Sequence, residues 1–202
     1  MFNKHNNNAS VSAHINELIQ VMQKYLSDAA LNESLQAVCD LCLLIYRDGI
    51  KILIADIGCS TADAHHFAGE LISCFYLDRG APLYAIAHTS DTSILTAIGN
   101  DYVYKDIFSR QILANGYSND LFIAFSTSGK SENILEAIEL SRKKNMLVVG
   151  LIGAGGVRMK ELCNHYLVVP SFSTHRIQEC HLVLEHTICA YIEQQIFGGV
   201  NH

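Results

Sequence analysis

Positive charge is scarce in this chain. Its 202 residues carry 14 Lys and Arg against 20 Asp and Glu, a formal net charge of −6. A protein whose main ligand is nucleic acid needs a basic face for the phosphates, so the balance argues against that class. Long apolar runs are also missing. None approaches the roughly 18 residues of a transmembrane helix, and no basic amphipathic segment suggests binding to a membrane surface. The opening stretch MFNKHNNNAS is polar and Asn-rich. It lacks the apolar centre of a secretion signal, and residues 1–9 are expected to form a disordered tail. Without such a signal, the seven cysteines point to free thiols in a reducing cytoplasm. Cys39 and Cys42 form a C-x-x-C, a spacing that is redox-active in some settings. Here it falls inside LQAVCDLCLLIY, an apolar helical pattern, where small cysteines are more often core residues.

Half of the residues are apolar and 17% are charged, the composition of a globular domain. The length suits one domain, taken as residues 10–202. Residues 10–28 and 31–48 read as a pair of amphipathic helices, with Ile15, Leu18, Ile19 and Met22, then Leu35, Val38, Leu41 and Cys42, at helical spacing. Gly49 ends the second. Five apolar runs follow: KILIAD, PLYAIA, DLFIAFS, MLVVGLIG and HYLVVP. They do not alternate with polar residues, which suits strands buried on both faces of a parallel sheet. Helical patterns at 61–76, 103–114, 131–144 and 156–163 lie between them, and a last helix is predicted over 175–197. The order predicts an α/β fold: a doubly wound, five-stranded parallel sheet flanked by helices, with the helical pair in front.

In such folds ligands bind beyond the carboxyl ends of the strands. Two of those ends are chemically loaded, ADIGCSTAD and AFSTSGKSE. The second contains Gly-Lys-Ser, the close of a nucleotide-binding P-loop. That motif needs G-x-x-x-x-G-K-[ST], and Ala124 stands where the first glycine is required. What remains is Ser126, Thr127, Ser128 and Ser131 around Gly129, ahead of a helix. Hydroxyls and the backbone N–H groups of a helix N-terminus both donate to phosphate oxygens. A single N-cap needs only one hydroxyl. Gly58-Cys59-Ser60 repeats the arrangement after the first strand. Two such loops suit a phosphorylated small molecule, and acid/base groups have to come from elsewhere.

FSTSGKSENILEAI resembles the phosphosugar-binding signature of the sugar isomerase (SIS) domain family. DAHHFAGEL, TAIGND, YKDIFSRQI and HRIQECHLVLEH resemble, in order and spacing, its branch acting on seven-carbon sugar phosphates. The likeness runs from the first helix to the last. It implies an aldose–ketose isomerase that interconverts sedoheptulose 7-phosphate and D-glycero-D-manno-heptose 7-phosphate, on the route to lipopolysaccharide heptose. It further implies a homotetramer with sites between subunits, and zinc in some members. Carried over residue by residue, Glu70 and His186 match the catalytic pair. His66, Glu70, Gln178 and His186 match the metal ligands. Ser60, Asp101, Ser126, Thr127, Ser128, Ser131 and Gln178 match the substrate contacts.

His66 and Glu70, four residues apart, share one helix face. Gln178 and His186, eight apart, lie about 80° around and about 12 Å along a helix, so both reach one ion only if their side chains lean strongly together, or else one of them serves another subunit's site. Alone, His66 or Glu70 reads equally well as an ordinary helix-surface residue, and His186 as an interfacial one. Three positions depart from the family: Ile57 for an Asn, Cys74 for an Arg, and His175 for an Asp. A sister branch regulates replication through the DnaA initiator without catalysis, and lacks the Glu and the last-helix His. A non-catalytic sugar-phosphate sensor would also keep the serines.

Overall fold

The computed structural model describes residues 11–77 and 81–198; the tail 1–9 lies outside the described residues. Two helices come first, α1 (Val11–Ser27) and α2 (Ala29–Arg47). Asp28 separates them and caps α2, its carboxylate accepting from the Ala30 and Leu31 N–H groups. By length and composition α2 is long and apolar enough to cross a membrane, which corrects the reading that no segment approaches such a span. In the fold it packs on the last helix and last strand. Val38, Cys39, Cys42, Leu43 and Ile45 go into the core, which explains its apolar character.

Five strands then alternate with helices: β1 (Ile52–Ala55), α3 (Thr61–Ile72), β2 (Ala85–Ala87), α4 (Thr92–Asp101), α5 (Ser109–Asn115), β3 (Leu121–Ser126), α6 (Glu132–Lys143), β4 (Leu147–Gly153), α7 (Val157–Leu162), β5 (His165–Val169) and α8 (Thr174–Phe197). All pairings are parallel, in the order β2-β1-β3-β4-β5. The predicted sheet is therefore present. α4 is an addition to the expected elements, and the TAIGND motif forms its second half. Asp91 starts it, its side chain accepting from the Ile94 N–H at 2.9 Å. α3 stops at Ile72 instead of continuing to 76.

β1 and β3 are buried along their whole length. Ile52 and Ile54 face a core shared with α1, α2, α3 and α8. Leu53 and Ala55 face the opposite core, under α4 to α7. The chain leaves β1 toward β2 on one side and later returns to β3 on the other. The crevice between the ends of β1 and β3 is thus the topological switch point, where this strand order binds ligands.

Candidate active site

The loops after β1 and β3 open on that crevice. After β1, Asp56 is almost wholly buried. Its Oδ1 accepts from the Ile57 N–H at 2.6 Å and from the Ser60 hydroxyl at 2.7 Å. Gly58 makes the turn at φ +75°. Ser60, predicted as a phosphate contact, is thereby turned inward onto Asp56. Burial pushes the Asp56 carboxyl up to about 7, against the two hydrogen bonds.

After β3, Gly129 takes φ +63°. A side chain there would also strike the neighbouring turn, with a Cβ 2.4 Å from Gly156 Cα. Glycine is required on both counts. Gly153 is braced against the same loop: its N–H donates to the Thr127 carbonyl at 3.2 Å. The Ser126 hydroxyl is buried in the loop, 3.0 Å from the Ser131 hydroxyl and accepting from the Gly129 N–H. Ser131 makes no side-chain cap on α6, so capping does not account for it. Thr127, Ser128 and Lys130 line one side of a cleft of about 200 Å³, with Ser171, Phe172 and Thr174 opposite. Of the predicted phosphate contacts, then, Thr127 and Ser128 face a cleft, while Ser60 and Ser126 hold the loops in shape.

The chemistry-bearing residues meet across α3 and α8. His66 Nε2 and His186 Nε2 are 2.7 Å apart. Glu70 Oε1 lies 3.5 Å from His66 Nε2. Among the described residues, these three form the one group of His, Cys, Asp and Glu whose ligand atoms lie mutually within 4.8 Å. Each is partly open to solvent, so a ligand can reach them. At that distance one ring can donate to the other, the direction set by the tautomers. Two nitrogens and a carboxylate oxygen, converging and accessible, are also the donor set of a catalytic zinc site with an open position.

Gln178 is half-buried on the same helix as His186, about two turns before it. Asp101 ends α4, exposed, and accepts from the Asn100 side chain at 2.8 Å. Three departures from the family pattern have visible settings. Ile57 packs on the core under α4 to α7. Cys74 and His175 are exposed.

Residue reading missed a buried polar group beside the site. His181 and Glu185 are wholly buried, and neither carries a side-chain hydrogen bond of normal geometry. Burial drives the Glu185 carboxyl up to about 10, with the Asp63 and Asp56 charges adding to it. Burial drives the His181 imidazole down to about 4, the Ile152 backbone opposing. The signal was available: both interrupt the apolar face that Ile177, Leu184 and Ile188 present to the core. The C-x-x-C is buried, as read. Burial raises Cys39 to about 12 and Cys42 further.

This architecture carries a family signature. A model of the SIS domain matches residues 14–153, so the chain belongs to the SIS domain family. A phosphoheptose isomerase from Aneurinibacillus thermoaerophilus is 48% identical over 191 residues, covering 94% of this chain and 96% of that protein. Solved phosphoheptose isomerases from Francisella tularensis and Neisseria gonorrhoeae superpose with TM-scores of 0.86 and 0.84, at 33% and 37% identity. Each match covers 91% of this chain, and 96% and 97% of theirs. Within the family the chain stands with the phosphoheptose isomerases, and it is an isomerase.

Proposed function

We propose that this chain interconverts sedoheptulose 7-phosphate and D-glycero-D-manno-heptose 7-phosphate, with Glu70 and His186 as its acid/base pair. The observation that carries the reading is the meeting of His66, Glu70 and His186 across α3 and α8. From the ketose, a base removes a proton from C1 and the O2 carbonyl gains one. The resulting enediol is reprotonated on C2 while O1 loses its proton. No electrons leave the substrate, so no redox partner is needed. Two groups that exchange protons near neutral pH suffice, and Glu and His are such groups when their surroundings tune them.

The loop at 126–131 is the phosphate seat in this reading. Thr127 and Ser128 hydroxyls and the first N–H groups of α6 face the anion, and Lys130 adds positive charge. Its role is to fix one end of the sugar so that C1 and C2 reach the α3–α8 seam. Ser60 and Ser131 contribute by shaping the two loops.

His66, Glu70 and His186 are the residues that would hold a zinc ion. Bound there, the metal supplies Lewis acidity toward the substrate's carbonyl or hydroxyl oxygens. Gln178 is assigned as a further zinc ligand or a substrate contact, and Asp101 as a substrate contact, in a homotetramer whose sites lie between subunits. The apolar face of α1 supports association: Val11, Ile15, Ile19 and Leu26 are exposed. Leu18, Met22 and Val183 line an apolar groove beside it. Seven cysteines, all unpaired, fit the reducing cytoplasm as the place of action.

The test is direct. Purified protein is incubated with sedoheptulose 7-phosphate, with added zinc or with chelator, and heptose 7-phosphate is measured. Glu70→Gln and His186→Ala should each lower turnover by about 10²–10⁴-fold, the worth of a positioned acid or base. Near-wild-type rates in both variants would remove the assignment. Absent turnover together with specific binding to a replication initiator would favour the non-catalytic branch.

A further inference from the structure

Glu193 lies on α8, seven residues beyond His186, and only 1% of it is exposed. A buried carboxylate is costly unless it is well hydrogen-bonded. Glu193 is bonded on both oxygens. Its Oε1 accepts from the Phe75 N–H at 2.8 Å. Its Oε2 accepts from the Tyr76 N–H at 2.5 Å and the Leu77 N–H at 2.9 Å. Three successive backbone donors on one anion form strong, charge-assisted bonds. They fix the segment 75–77, which follows the end of α3.

That segment bears on the chemistry. The Phe75 ring centroid lies 5.3 Å from the His186 ring, and the Tyr76 ring packs on Phe75 at 4.2 Å. The His186 ring also meets His66, at 5.0 Å between centroids. The imidazole is therefore in contact with two rings, and the backbone carrying one of them is held by Glu193. His66 meets His186, and residues nine to eleven beyond His66 meet the residue seven beyond His186. The seam between α3 and α8 thus has the acid/base cluster at one level and the Glu193 clasp about two turns further on.

We propose that Glu193 is a positioning residue for the isomerisation: through the 75–77 backbone and the Phe75 ring it sets the orientation of the His186 imidazole. This rests on the assignment of His186 to the acid/base pair. Glu193 touches no substrate in this reading and exchanges no proton with it.

Glu193→Gln keeps the shape but puts an NH2 where one oxygen accepted. Misplacing a catalytic group by about 1 Å costs up to about 10²-fold in rate. The variant should therefore lose about ten- to a hundredfold in kcat, with KM within about twofold, because the phosphate seat on β3 is untouched. Phe75→Leu should show the same split, and the double variant should be no worse than either single one. The imidazole NMR signals of His186 should move in Glu193→Gln, a readout independent of turnover. A folded Glu193→Gln with unchanged kcat and unmoved His186 signals overturns the proposal, as does a loss confined to thermal stability. If Glu193→Gln does not fold, Phe75→Leu decides: unchanged kcat and His186 signals there overturn it equally. If the wild type fails to turn over the heptose phosphate, the activity reading falls, and the NMR comparison still tests the positioning.

Discussion

Replacing His181 with Phe isolates one term in the protein's acid sensitivity. His181 is wholly buried, edge-on to Phe125 with centroids 5.6 Å apart. Burial lowers its pKa from 6.5 to about 4. The native state therefore binds fewer protons than the unfolded chain between about pH 4 and 6.5. Its contribution is fully present above 6.5 and is lost progressively as pH falls from there to about 4. At about pH 5 the unfolded imidazole is nearly all protonated and the native one about a tenth. Integrating the difference gives a loss of about 2 kcal/mol relative to about pH 7.5. Phe keeps the ring and removes the titration. Urea unfolding of both proteins at the two pH values reads the effect as the change in midpoint at constant m. The variant should lose about 2 kcal/mol less than the wild type over that interval. His88, which burial also lowers to about 4, is present in both proteins and cancels, as do the carboxyls. Equal losses in the two proteins would show that His181 is not titrating as its burial requires.

Three further outcomes follow from the same structure. Gly129→Ala places a Cβ against Gly156 in a backbone at φ +63°; it should raise KM for the sugar phosphate severalfold more than it lowers kcat, measured by steady-state kinetics. Of the seven thiols, Cys59 and Cys74 are exposed and the rest are buried or half-buried, with Cys163 raised by burial to about 12 and Cys180 to about 11. A thiol reagent at neutral pH should therefore consume two equivalents quickly in the native protein and seven after denaturation. Lys51→Met leaves Asp120, its buried partner at 2.5 Å, without a counter-charge; thermal or urea unfolding should show a loss of about 3–5 kcal/mol.

The sheet was legible because its strands are buried on both faces, and KILIAD and DLFIAFS carry that burial as unbroken apolar runs. The residues of α4 were not read as a helix, although Asp91 ahead of Thr92 and Ser93 is an N-cap signal. The end of α3 was misjudged for a different reason. Continued to 76, the helix would direct the N–H groups of Phe75 and Tyr76 to carbonyls four residues earlier. In the fold they donate to Glu193, 118 and 117 residues away, and no local pattern reports that. His66 and Glu70 could be paired by helical spacing. Their meeting with His186 depends on α8 crossing α3, which spacing within one helix cannot express. Ser60 and Ser126 show the opposite limit. Residue type marks a hydroxyl as a phosphate donor, but here both hydroxyls are turned into their own loops.

The SIS match ends at residue 153, and that boundary divides the working parts unequally. The hydroxyl loop, its glycine turn, His66 and Glu70 lie inside it. His186, Gln178 and Glu193 belong to α8, beyond it. The cluster at the seam is therefore split along the chain: α3 brings His66 and Glu70, and His186 arrives more than a hundred residues later on α8. Neither helix holds the three residues alone, so the cluster exists only once the first and last parts of the fold have packed together.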